Sequence, residues 1–150
     1  MNLEYRDIYS RFYLLMTDTR FFEIPEDIAY EKMTLWLHDI AALPQVRKTF
    51  NIITFDDEIQ TLTYELINSA DEYSDRDFVI KLFAQGMVIY WMRPQVESAI
   101  NMATIIGGKE EKRLLSNYKT VIERLDKLEV DFKKLLRDHE YWNGDIVTTS

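Results

Sequence analysis

Glycines beside a lysine, histidines and paired carboxylates are the residue types that most often carry chemistry, and this chain contains each. Gly107-Gly108-Lys109-Glu110 sets two glycines and a lysine ahead of an expected helix. A phosphate loop needs G-x-x-x-x-G-K followed by Ser or Thr at the exit of a strand, so that backbone N–H groups and the lysine meet the phosphates. Here the first glycine is missing and Glu110 stands where the hydroxyl belongs. The preceding segment also reads as helix, so the stretch is a helix-breaking connection. His38 and His139 have no Glu three residues before them and no His four residues away, so di-iron and zincin spacings both fail. Asp71, Asp75 and Asp77 lack the glycine and terminal glutamate of a calcium loop. Glu23/Glu26 and Glu72/Asp75 are acidic pairs at i, i+3, a spacing that can hold Mg²⁺ for pyrophosphate hydrolysis, but acidic chains produce such pairs by chance. With no cysteine, thiolate nucleophiles, thiolate metal sites and disulfides are excluded together. The expectation is a non-enzymatic protein with no cofactor and no metal.

The elements that would position these residues are helices. Residues 74–112 form the stretch around which the rest is arranged. Ser74 and Asp77 have the spacing of a capping box, and residues 78–91 are apolar on nearly every side, interrupted only by Lys81 and Gln85. Such a helix must be surrounded by other elements. Gly86 should let a neighbouring helix approach closely, and Pro94 should kink or break the helix near residues 91–93. The apolar pattern resumes at Val96, Ile100 and Ile105 and stops at Gly107-Gly108. Upstream, residues 3–16 read as a first helix with Tyr5, Ile8, Tyr9, Phe12, Leu15 and Met16 on one stripe, and Phe21-Phe22 should tuck beneath the following connection. Pro25, Glu26 and Asp27 open a second helix that Pro44 closes, with a further short turn over 45–50. Residues 51–55 have strand-like character but are short enough for an extended linker. Ile59, Leu62 and Leu66 suggest a third helix. From Lys109 to about Tyr141, Leu114, Tyr118, Val121, Leu125, Leu128, Phe132 and Leu135 step at heptad intervals, the pattern of one long helix packed along another. Asn143-Gly144 should end it. The expected architecture is all-α: a single-domain bundle of about five helices over residues 1–144, with a kinked central helix, a long C-terminal helix and a tail over 145–150.

With 150 residues, 47% of them apolar, the chain can bury a real core, and it fits one domain. The opening MNLEYRDIYSRFY carries charges throughout and does not read as a signal peptide, while 78–91 is too short for the ~20 residues of a membrane span. A soluble protein is expected. Charge is the most informative feature. Residues 56–77 hold eight acids and one base, hence −7 of the net −8, whereas the remaining chain has 18 acids and 17 bases. One reading is a solvated face. The other is an acidic patch, Asp56, Asp57, Glu58, Asp71, Glu72 and Asp75 foremost, that repels DNA or meets a basic partner. A general nucleic-acid binder needs a clustered basic footprint and is disfavoured.

Three stretches carry a family resemblance: YRDIYSRFYLL, then FVIKLFAQGMVIYW-x-x-P-Q-V followed by GGKE, then LLRDHEYWNGD. Together they resemble small all-helical structural proteins of tailed bacteriophages, the head–tail connector (adaptor) proteins of phages infecting Gram-positive bacteria. The resemblance implies a virion protein of the neck, assembled in the host cytoplasm as a homo-oligomeric ring beneath the portal, often twelvefold. Its partners would be its own copies, the portal and neighbouring neck or tail proteins. DNA would pass through the bore without specific binding. The six acids would then face the channel, and Ile146, Val147, Thr148 and Thr149 would form a tail that adds a strand to a partner. The alternative function is an acidic helical regulator or inhibitor that mimics DNA.

Overall fold

The apolar run at 78–91 lies at the centre of the molecule. A computed structural model describes residues 1–149, with side chains as far as Tyr141. Along it the chain forms β1 (Asn2–Glu4), α1 (Tyr5–Leu15), a 3₁₀ segment (Thr19–Glu23), α2 (Glu26–Ala42), α3 (Pro44–Arg47), β2 (Phe50–Asp56), β3 (Thr61–Leu66), α4 (Glu72–Ile106), α5 (Gly108–Asn117) and α6 (Lys119–Thr149). The protein is mainly helical, and a small antiparallel sheet of order β1-β3-β2 corrects the all-α expectation. No described helix is long and apolar enough to cross a membrane.

The expected third helix is strand β3. Its sequence TLTYEL alternates strictly: Leu62, Tyr64 and Leu66 are buried, while Thr63 and Glu65 are exposed. Side chains of period two belong to a pleated strand with one wet face, and Thr and Tyr favour that backbone. Residues 51–55, expected as a linker, lie in β2, which pairs with β3 from Phe50↔Leu66 to Asp56↔Thr61. The hairpin turn is held by the Asp56 carboxylate, which accepts the N–H groups of Glu58 (3.1 Å) and Ile59 (3.4 Å). Ile59 is left 69% exposed there, so it serves no helix. Phe50 and Phe55 approach Phe83 and seat the sheet on α4.

The 35 residues of α4 make a rod of about 52 Å. Its N-cap is Asp71, whose carboxylate accepts from the Ser74 N–H at 2.8 Å, one turn upstream of the expected box. Between 78 and 89 burial is nearly all-round: Val79, Leu82, Phe83, Ala84 and Met87 are fully enclosed by α1, α2, α6 and the sheet. Beyond Met92 only Val96, Ala99 and Ala103 stay buried, so the stripe follows small residues and leaves Ile100 and Ile105 outside, against expectation. The expected break is also absent, because α4 is continuous through Pro94. Proline withholds one backbone donor, and the Gln95 side chain donates to the Trp91 carbonyl (2.9 Å) in the same turn. Gly107, at φ 69°, ends the helix.

Phe21 enters the core, edge-on to Phe12 and Trp91, but Phe22 stays outside at 55% exposure. The expected single C-terminal helix divides at Tyr118 into α5 and α6. The division is shallow: Tyr118 N–H still reaches the Leu114 carbonyl and Ile122 N–H the Tyr118 carbonyl. Leu125 and Leu136 are buried against the core, with Leu128, Phe132 and Leu135 partly buried beside them. Asn143-Gly144 does not stop α6, which continues to Thr149.

The close approach expected at Gly86 is to α2. A Cβ there would sit 2.7 Å from Ile40 Cδ1 and 3.1 Å from Cγ1, and Ile40 is itself fully buried. Gly86→Leu should therefore destabilise by about 1–3 kcal/mol through overpacking. In denaturant unfolding, Ile40→Val in the same chain should recover part of that loss, whereas equal midpoints for the single and double variants would place the strain elsewhere.

Candidate functional site

The structure divides the acidic segment between two ends of the hairpin. Asp56, Asp57 and Glu58 sit at the β2–β3 turn, while Asp71, Glu72 and Asp75 lie where α4 begins, on the order of 15 Å away along the strands. Most of these acids are already engaged. Asp57 accepts the Tyr5 hydroxyl at 2.6 Å, and both its oxygens lie 3.0 Å from His38 Nε2. Asp71 is the cap of α4. Asp75 is only 4% exposed, and its carboxylate accepts the Ala70 N–H (3.0 Å) and the Ser69 hydroxyl. Asp77 binds Lys81 at 2.8 Å and Arg11 at 3.4 Å. Asp75 is too buried to present its side chain to a channel, whereas Asp57 and Asp71, though engaged within the fold, keep exposed side chains. Among the described residues, Glu58, Glu65 and Glu72 remain as acids of the segment without a bonded partner.

The Tyr5–Asp57–His38 cluster has the residue types of a proton relay but the arrangement of a clasp. Tyr5 opens α1, His38 lies on α2 and Asp57 on the hairpin turn, so one carboxylate ties three elements together. The His38 ring packs on Phe55 at 4.6 Å, and its Nε2 is turned to Asp57 rather than to a nucleophile. The Tyr5 hydrogen bond, seconded by that of His38, holds the Asp57 carboxyl below the usual range against the opposing effect of burial. Burial and the adjacent carboxylate push the Tyr5 phenol up, so it stays a donor.

His139 is buried and stacks face to face on Phe78, with centroids 3.8 Å apart and planes 11° off parallel. Burial lowers its pKa, opposed in part by the Asp75 charge. The other sequence candidates do not assemble a site. Glu72 is exposed while Asp75 is buried and turned toward Ser69, which splits that pair. Gly107-Gly108 link two helices with both residues at positive φ. Among the described residues no group of three or more His, Asp or Glu is placed to hold a metal ion. Ile146, Val147, Thr148 and Thr149 fall in the last turns of α6 instead of a strand-forming tail; their side chains, and Ser150, lie outside the described residues.

One surface was not legible in the sequence. The distal part of α4 with α5 forms an arm: α5 buries no residue, and Ile105 is 85% exposed, with Met102 and Ile106 at 53%. An apolar count assigns these side chains to a core. Among the described residues nothing covers them. No family model matches the chain, and no curated protein or solved structure is significantly similar to it.

Two titrating groups make the fold acid-sensitive in separate windows. His139 has its folded pKa below the ordinary 6.5, so the unfolded chain binds the extra proton first and stability falls as pH drops below about 6.5. His139→Phe should flatten the decline in melting temperature between pH 7.5 and 5.5, and an unaltered slope would show that the ring is not neutral when folded. Asp57, with its pKa depressed, contributes stability above the unfolded carboxyl range and loses it as pH falls through the folded value. Asp57→Asn should remove that low-pH component while leaving the His139 window in place. Retention of the full low-pH decline in the variant would assign it to other carboxylates.

Proposed function

We propose that the chain is a non-enzymatic structural subunit of a tailed-bacteriophage virion, one copy in a ring-shaped head–tail connector beneath the portal. The observation that carries the self-assembling part of this reading is the arm. Met102, Ile105 and Ile106, at i, i+3 and i+4 spacing, expose apolar surface on one side of the end of α4, and patches of that kind mark interaction sites. The connector assignment itself rests on the resemblance of the three sequence stretches. In a ring, Asp56, Glu58 and Glu72, joined by Glu65, would provide dispersed negative charge that keeps passing DNA from adhering. The DNA-mimic alternative is less well supported, because a mimic must present its acids together, and Asp57, Asp71, Asp75 and Asp77 are each bound within the fold.

Sedimentation of the purified chain and electron microscopy of its mixture with a phage portal test the reading. The expected result is a ring of many copies that seats on the portal. Met102→Asp with Ile105→Asp should abolish the ring while leaving the circular-dichroism spectrum and the melting temperature of the dilute, unassembled chain unchanged, since both side chains are exposed. Changing Glu58, Glu65 and Glu72 to Gln should have little effect on DNA retention, whereas Lys at the same positions should produce salt-sensitive DNA binding. A chain that stays monomeric and ignores the portal would overturn the assignment.

A further inference from the structure

Between α6, the middle of α4 and the junction of α2 with α3 lies a cavity of about 360 Å³. Its lining has two chemical characters. Leu43, Ile89, Phe132 and Leu136, with the bare backbone at Gly86, supply an apolar surface. The charged lining residues are four cations, Lys48, Arg93, Lys133 and Arg137, against two acids, Glu129 and Glu140. In a protein of net charge −8 this is a local reversal of sign. Glu129 is engaged by Arg93 at 3.3 Å, and Arg137 lies 3.8 Å from Asp138. Lys48 and Lys133 make no ion pair among the described residues.

We propose that this cavity is a binding site for a small amphipathic carboxylate, its apolar chain against Ile89, Phe132 and Leu136 and its head group drawn to Lys48 and Lys133. The volume lies within the range of small-ligand sites, about 300–1,000 Å³. A neutral apolar ligand would gain nothing from the excess of cations at the rim, and a compact anion would leave the apolar lining wet, so the two characters together favour an amphiphile. The ligand would touch α4, α6 and the α2–α3 junction at once and would bind the folded chain alone. Its binding would raise the melting temperature in proportion to the logarithm of ligand concentration. The proposal is independent of ring assembly and stands or falls on the monomer surface.

Calorimetric titration of the full chain with octanoate and decanoate, below their micellar concentrations, tests it. Saturable binding of one molecule per chain is expected, with affinity rising about fourfold for each added methylene. Decanol, equal in chain length but uncharged, should bind at least tenfold more weakly than decanoate. Lys48→Glu with Lys133→Glu should weaken decanoate by tenfold or more without moving the ligand-free melting temperature, since both lysines are exposed. Four results would each overturn the proposal: no saturable binding, uptake of many molecules per chain, equal affinity for decanol, or an unchanged affinity in the double variant. The chain-length and head-group series on the unaltered protein decides the matter even where the double variant folds poorly.

Discussion

The structure depends on the burial of one helix from every side. Between residues 78 and 89, α4 presents apolar side chains to α1, α2, α6 and the sheet together, and the contact with α2 is made tight by the missing side chain at Gly86 against Ile40. Each fully buried aliphatic or aromatic side chain there is worth roughly 1.5–3 kcal/mol relative to exposure. The flanking elements have only one apolar face apiece and acquire their positions from that rod. The three-stranded sheet shows this dependence: in β3 the inner residues Leu62, Tyr64 and Leu66 are apolar and the outer Thr63 and Glu65 polar, and Phe83 of α4 meets both Phe50 and Phe55.

Polar interactions then fix the register of what the apolar core merely gathers. Asp57 ties α1, α2 and the hairpin through Tyr5 and His38; Asp71 and Asp75 fasten the start of α4; Arg76 and Asp7, 2.9 Å apart, join α4 to α1. This explains why the acidic segment is dense without forming one patch. Acids near helix starts and turns are consumed by backbone N–H groups, as their short side chains and the positive helix end favour. The charge that remains available, on Glu58, Glu65 and Glu72, is sparse and spread along the hairpin and the α4 entry.

The helical part of the fold was legible in the sequence because its signals span many residues. Residues 78–91 announced a buried helix, Gly86 a close crossing, and the steps from Leu125 to Leu135 a helix lying along another. The sheet was misread because Ile59, Leu62 and Leu66 step by three and four as on a helix face, whereas Leu62, Tyr64 and Leu66 step by two, and they decide for the strand once Tyr64 is counted as an inward residue and Ile59 is assigned to the turn. Pro94 was expected to kink or break α4; the helix is not broken there, and the Gln95 side chain bonds the Trp91 carbonyl in that turn. The arm was illegible for a different reason. Whether Ile105 is covered depends on where a rod of about 52 Å points after it leaves the body, and local sequence does not encode that direction. The cavity beside α6 was hidden likewise, since Lys48, Arg93 and Lys133 come from three separate segments.

In the proposed ring, α4 would be one rod with two roles, a core in its first half and an assembly surface in its second. Amide hydrogen exchange along α4, followed as protein concentration is raised through assembly, measures this directly. The account predicts that amides at 78–89 are protected to the level of global unfolding at all concentrations. Those at 100–106 and in α5 should exchange quickly in the dilute chain and become protected as copies associate. Equal protection along the whole of α4 in the dilute chain, or an arm that stays unprotected in the assembled particle, would contradict it.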